Sequence, residues 1–98
     1  MAKGYWVGQI NINDPQAYQH YRAANAAAFE KYGARFLVRG GPQTIVEGGA
    51  NPRTVVIEFK DFETALACYN SPEYAAAKAL RETPVSSGNL VIVEGYDG

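Results

Sequence analysis

Five side chains in this sequence have the types and spacing to hold a small molecule: Tyr18, Tyr21, Asn25, Arg39 and Tyr74. Phenol hydroxyls and a carboxamide both donate and accept hydrogen bonds. A guanidinium can grip a carboxylate or phenolate through two parallel bonds. Tyr18, Tyr21 and Asn25 follow one another at intervals of three and four residues, which places them on one face of a helix. Asn25 falls near the centre of that face, and a buried amide without a partner costs about 1–3 kcal/mol. It therefore either bonds internally, to a tyrosine hydroxyl or to backbone, or lines a cavity between helix and sheet. Arg35 and Arg39 point to one face of a short extended run, with Leu37 between them. Arg39 stands directly before Gly40-Gly41-Pro42, a bend where backbone approaches a ligand closely. A surface ion pair with Glu47 or Glu58 is the competing reading for these arginines. Arg81, in the last helix with Tyr74 and Lys78, has the same two readings.

Other reactive groups have blander assignments. His20 is the only histidine. On the helical wheel it lies about 120° from the middle of the buried arc, so it reads as a solvated surface residue rather than a base or haem ligand. With one histidine and one cysteine, a structural zinc site is excluded and no metal is expected. Cys68 reads as an inert small hydrophobe. Glu58 and Glu94 lie among apolar neighbours; each pairs with an arginine or, buried without a cation, has a raised pKa and can act as a general base. Gly40-Gly41 lacks the lysine and helix of a phosphate loop.

The elements that position these groups follow from period and punctuation. Tyr5 to Ile12 alternates as a strand, with Trp6, Ile10 and Ile12 on one face and Tyr5, Val7, Gln9 and Asn11 on the other. Asp14 caps a helix whose first position is Pro15 and whose stop is Gly33. Ala17, Tyr18, Tyr21, Ala24, Asn25, Ala28, Phe29 and Tyr32 share its apolar arc. Arg35 to Arg39 is a second strand, with Thr44 to Glu47 a candidate continuation beyond the Gly-Gly-Pro bend. Thr54 to Lys60 is a third strand. Asp61 caps a helix with a Phe62, Ala65, Leu66 and Tyr69 stripe. In Tyr69-Asn70-Ser71-Pro72-Glu73-Tyr74, Asn70 ends that helix, Ser71 caps the next, Pro72 takes its first position and Glu73 complements its dipole. Capping accounts for every residue there except the two tyrosines. The following helix runs to about Glu82, stopped by Pro84, and Asn89 to Glu94 is a last strand.

The order β-α-β-β-α-β predicts an α+β, ferredoxin-like fold over residues 1–98 as one domain: a four-stranded antiparallel sheet with the helices on one face. The third and fourth strands are apolar on both faces: Val55, Ile57 and Phe59 oppose Val56, and Leu90 and Ile92 oppose Val91 and Val93. Helices on one side leave the other as a large apolar patch. A second copy stacked sheet to sheet about a two-fold axis covers it, so a homodimer is expected.

The 98 residues carry a net charge of −1, which gives no reason to expect nucleic acid or an anionic membrane as partner. No apolar run approaches the ~20 residues of a membrane span, and residues 1–5 have no signal-peptide character. With a single cysteine, a reducing, cytoplasmic setting is the expectation.

Taken together, "KGYW", the "DPQAYQHY" helix opening, "RFLVRGG", "VVIEF", "CYNSPEY" and the final "IVEG" resemble the domain of unknown function family numbered 1330, from about Lys3 to Gly95. The resemblance implies a ferredoxin-like fold of the dimeric α+β barrel superfamily, in which sheets pair into a barrel. That wider group holds cofactor-free monooxygenases, haem-handling proteins and small-molecule sensors, a breadth that implies no single reaction.

The leading expectation is a dimer binding a small aromatic or carbonyl-containing molecule in a tyrosine-lined pocket between helices and sheet, without a cofactor. Two alternatives stand beside it. One is a cofactor-independent monooxygenase- or isomerase-like enzyme, with Glu58 or a tyrosine as base. The other is a dimerisation module with no ligand.

Overall fold

Alternation along the first strand divides the molecule into two layers. The computed structural model describes residues 2–98, and the chain runs β1 (Gly4–Ile12), α1 (Pro15–Lys31), β2 (Arg35–Arg39), β3 (Arg53–Phe59), α2 (Phe62–Tyr69), α3 (Pro72–Lys78) and β4 (Ser86–Glu94). The strands form one antiparallel sheet in the order β2-β3-β1-β4. Two interleaved β-α-β units of this kind are the ferredoxin-like fold. In β1, Trp6 faces the helices and is 2% exposed. Its neighbours Tyr5 and Val7 share the opposite face with Glu58 and Val93, and with Val56 and Val91, respectively.

Local chemistry sets the helix ends as the sequence suggests. The Asp14 carboxylate accepts from the Ala17 N–H at 3.0 Å, and Pro15 occupies the first turn. Asp61 accepts from the Thr64 N–H at 2.7 Å. Gly33, at φ 67°, turns the chain out of α1 in the left-handed region that other residues avoid. Ser71 serves both helices at their junction: its Oγ accepts from the Tyr74 N–H at 3.1 Å and donates to the Cys68 carbonyl at 2.7 Å.

The core is aromatic and centred on Trp6. Its ring lies 4.9 Å from Tyr74 and 5.3 Å from Phe29, both nearly edge-on, the arrangement that aromatic quadrupoles favour. Phe59 and Tyr69 complete the ring of contacts. The indole N–H donates to the Ala65 carbonyl at 2.9 Å, so burying tryptophan leaves no polar group unpaired.

Four sequence expectations are corrected. The pairing register of β2 with β3 shifts between Phe36 and Val38, a bulge at Leu37. Because one extra residue inverts the alternation beyond it, Arg35 opposes Glu58 on the open face while Arg39 opposes Val55 on the helix face. The two arginines do not share a face. Residues 44–47 form no strand, and residues 41–50 are all exposed; Gln43 instead anchors the base of this loop, bonding Asn51 and Thr54. The helix α3 stops at Lys78, four residues before Glu82. Leu80 and Arg81 then donate to carbonyls three residues back, the tighter winding that ends a helix ahead of a proline. Finally, β4 begins at Ser86, three residues before Asn89.

The second face of the sheet carries no helix. Val91, Val93 and Val38 on it are 56%, 45% and 40% exposed.

Candidate functional site

Between the helices and the β1–β4 half of the sheet lies a cavity of about 430 Å³. Trp6, Ile10, Ile57 and Leu90 are its apolar walls. Tyr18, Tyr21, Tyr69 and Tyr74 reach it from the helices, and Arg81, Glu82 and Thr83 from the segment that follows α3. Early termination of α3 matters here. The turn that replaces the last part of α3 brings Arg81, Glu82 and Thr83 to the cavity, and the Arg81 carbonyl accepts from the Ser86 hydroxyl at 2.6 Å.

The polar anchor of the cavity is a chain of three groups. The Tyr21 and Tyr74 hydroxyls are 2.9 Å apart, and the Arg81 Nε–H donates to the Tyr74 oxygen at 3.2 Å. The guanidinium also lies over both rings, 5.5 Å from the Tyr21 centroid and 5.8 Å from that of Tyr74. Two phenols have two O–H hydrogens, and the bond between them uses one. The other has no acceptor among the described residues and is free to donate to a ligand. Burial, and then the adjacent Tyr21, hold Tyr74 well above the ordinary phenol range, with Arg81 pulling the other way. Tyr74 is therefore a hydrogen-bond donor at neutral pH rather than a base. Burial likewise raises Tyr18, whose ring stands 5.1 Å from that of Tyr21.

A smaller crevice of about 40 Å³ adjoins, sharing Ile10, Tyr18, Tyr21, Val55 and Ile57 as walls with the larger cavity. Asn25 and Arg39 line this crevice and not the larger space. Asn25 is 5% exposed, and the internal hydrogen bond to a tyrosine hydroxyl considered from the sequence is not among its contacts, the Tyr21 hydroxyl pairing with Tyr74 instead. The five residues singled out from the sequence thus divide: Tyr18 and Tyr21 face both spaces, Tyr74 the larger, Asn25 and Arg39 the smaller.

Arg81 has a larger part in this geometry than its sequence position suggests. The sequence offers it only as a helix residue near Tyr74 and Lys78, whereas its contact with Tyr74 depends on the turn that replaces the last part of α3. Arg22 and Arg53, both lining the crevice, have no sequence signal at all. Glu58 is corrected as a cavity base: it lies on the open face, where the Tyr5 hydroxyl donates to it at 3.2 Å. His20 is exposed and lines neither space. Cys68 is fully buried, and burial pushes its thiol up to about 12. Among the described residues no group of three or more His, Cys, Asp or Glu is placed to hold a metal ion, and no helix is long and apolar enough to cross a membrane.

Comparison with known proteins agrees with the fold. The chain belongs to the family described as Domain of unknown function (DUF1330), which it matches over residues 3–96. No curated protein sequence matches it significantly. A protein of unknown function from Rhodopseudomonas palustris is similar in structure, with TM-score 0.75 and 14% identity, over 99% of this chain and 85% of that one. SnoaB, a cofactor-independent oxygenase from Streptomyces nogalater, superimposes with TM-score 0.61 at 11% identity, over 100% of this chain and 97% of its own. A dimeric ferredoxin-like protein of unknown function from Thermobifida fusca gives 0.52 at 17% identity, over 95% and 89%. At these identities the likeness is one of fold.

Proposed function

For this family member we propose that the cavity between helices and sheet binds a small aromatic or carbonyl-containing molecule, in a protein that works as a homodimer. One observation carries the reading. A space of about 430 Å³ has aromatic walls and, at one point, a phenol O–H with no acceptor among the described residues, beside a guanidinium. Sites for small molecules have this character: mostly apolar, with a few convergent polar groups. A carbonyl or phenol oxygen accepts from the free O–H and the guanidinium, while the ring packs on Trp6 and Tyr69. Dimerisation rests on the valine-rich open face, which a second sheet covers; the Thermobifida fusca neighbour is described as dimeric.

A catalytic reading has a specific observation in its favour. Arg81 and the phenol hydroxyls form a donor set that stabilises a developing enolate or phenolate oxygen, and SnoaB, of similar fold, is a cofactor-independent oxygenase. Binding is the preferred reading because no poised base faces the space: the one carboxylate on its rim, Glu82, sits 3.8 Å from the Lys78 ammonium.

Native mass spectrometry of gently purified protein, with titration of phenols followed by Trp6 fluorescence, tests both parts. A dimer mass carrying a small adduct, and quenching or a shift of Trp6 emission on titration, is the expected result. A ligand-free dimer whose emission no phenol or carbonyl compound alters would leave only a dimerisation module. Consumption of oxygen in the presence of a quinol would move the reading to catalysis.

A further inference from the structure

Three arginines meet at the small crevice with no carboxylate among its lining residues. Arg22 comes from α1, Arg39 from the end of β2 and Arg53 from the start of β3, and all three line it together with Asn25. Each guanidinium is held in place. Arg22 lies 5.3 Å from the Tyr18 ring centroid and Arg39 lies 4.1 Å from that of Phe36. Arg53 packs beneath Gly40, whose φ is +71°; a Cβ there would strike its Nη1. The bulge at Leu37 is what swings Arg39 to this side of the sheet. Among the described residues no carboxylate pairs with any of the three, the ion pairs lying elsewhere, at Lys31–Glu73 and Lys78–Glu82.

Clustered cations on a surface usually reach into water, where repulsion between them is small. These do not all do so. The Arg53 Nε–H is completely buried and has no hydrogen-bond partner among the described residues. Burial, then the nearby Arg22, hold Arg53 below the ordinary guanidinium value. Beside it Asn25, 5% exposed, lines the same crevice. A buried, unpartnered donor is destabilising unless something fills its hydrogen-bonding capacity. A buried donor facing a crevice ringed by positive charge has one remedy, which is an anionic acceptor.

We propose that Arg22, Arg39, Arg53 and Asn25 form an oxyanion-binding end of the helix–sheet cavity, and that the ligand carries a carboxylate or comparable oxyanion there. This deepens the reading of the larger cavity as a small-molecule site and rests on it. The two spaces have common walls in Tyr18, Tyr21 and Ile57, so one ligand can lie with its acidic group among the arginines and its body against the aromatic walls. A carboxylate accepts from the Arg53 Nε–H and the Asn25 N–H₂ while the other two guanidiniums balance its charge.

Two probes that differ only in the acidic group test this: 4-hydroxyphenylacetate and p-cresol, titrated at constant ionic strength. The acid binds about tenfold tighter or better if it gains one charge-assisted hydrogen bond. The preference falls to near one in Arg53→Gln, and Arg53→Lys recovers part of it. Arg39→Gln, an exposed position, gives a second reading should Arg53→Gln fail to fold. Inorganic sulfate is titrated separately, following the Arg53 Nε–H resonance by NMR, which should shift in the wild type. Equal binding of acid and cresol, with no response to sulfate, overturns the oxyanion end and leaves the cavity reading intact. If neither aromatic binds while sulfate moves the Arg53 resonance, the cavity reading fails and the crevice stands as a site for a free inorganic anion.

Discussion

The two faces of the sheet are made of the same strands and similar residues, yet they end in opposite states. On the helix side Trp6, Ile57 and Phe59 are at most 3% exposed. On the other, Val91 and Val93, two residues apart in the same strand, are about half exposed. The difference is one of partners. Helices α1, α2 and α3 supply aromatic rings and small alanines to one side, and Ala28, Ala65 and Ala77 allow close approach because they are fully buried without bulk. The other side sets its valines among polar groups such as Gln9, Arg35 and Glu58, with no helix to cover them. A face closed from within becomes a core with a cavity, and a face left open becomes a surface in want of a neighbour.

The most severe way to disturb this contrast is Trp6→Ala. Removing the ring at the centre of the closed face should lower stability by about 3–5 kcal/mol, read as a displaced midpoint in urea with little change in slope. Next is Val91→Glu on the open face. An extra carboxylate pressed against a second sheet should weaken self-association by about tenfold to a hundredfold, about 1–3 kcal/mol, leaving the subunit folded by circular dichroism. Unchanged sedimentation for that variant would mean that the open face is not the dimer surface. Tyr74→Phe is milder. It leaves the Arg81 Nε–H and the Tyr21 hydroxyl without their partner and should reduce stability by about 1–2 kcal/mol, with a larger fractional loss in phenol affinity.

The smallest effect is in pH. Asp61 is lowered from its ordinary 3.8, first by the Thr64 hydrogen bonds, and Glu73 from 4.5, first by the Lys31 hydrogen bond. A carboxyl group whose folded value is depressed adds stability that is present above its unfolded value and is lost as pH falls through the folded one. Thermal midpoints should therefore be level above about pH 5 and decline below about pH 4. Both groups are only partly buried, so the decline should be shallow and the Glu73 part should diminish in salt. Glu73→Gln should remove its share, while Trp6→Ala should leave the pH profile's shape unchanged.

How far the sequence could be read follows from range. Helix starts at Pro15, Phe62 and Pro72 were legible because caps act over three residues, and Asp14, Asp61 and Ser71 each bond as their types suggest. The alternation of β1 and β3 was legible for the same reason, and with it the presence of a second apolar face. Tyr18 and Tyr21 could be placed on one face from helical period alone. The side to which Arg39 points could not, since a single bulge at Leu37 reverses it. Nor could Arg81, whose role depends on α3 stopping at Lys78 and on a carbonyl held by Ser86.

Local interactions, summed along the chain, already specify the order of strands and helices and which side of each is apolar. Alternation and capping are properties of neighbours in sequence, so no folded partner is needed to read them. Tertiary structure decided the rest. It turned Glu58 away from the cavity, linked Tyr21, Tyr74 and Arg81, and gathered Arg22, Arg39 and Arg53 from three separate elements around one crevice. Those outcomes rest on strand register, a bulge and a turn, where a shift of one residue exchanges inside for outside.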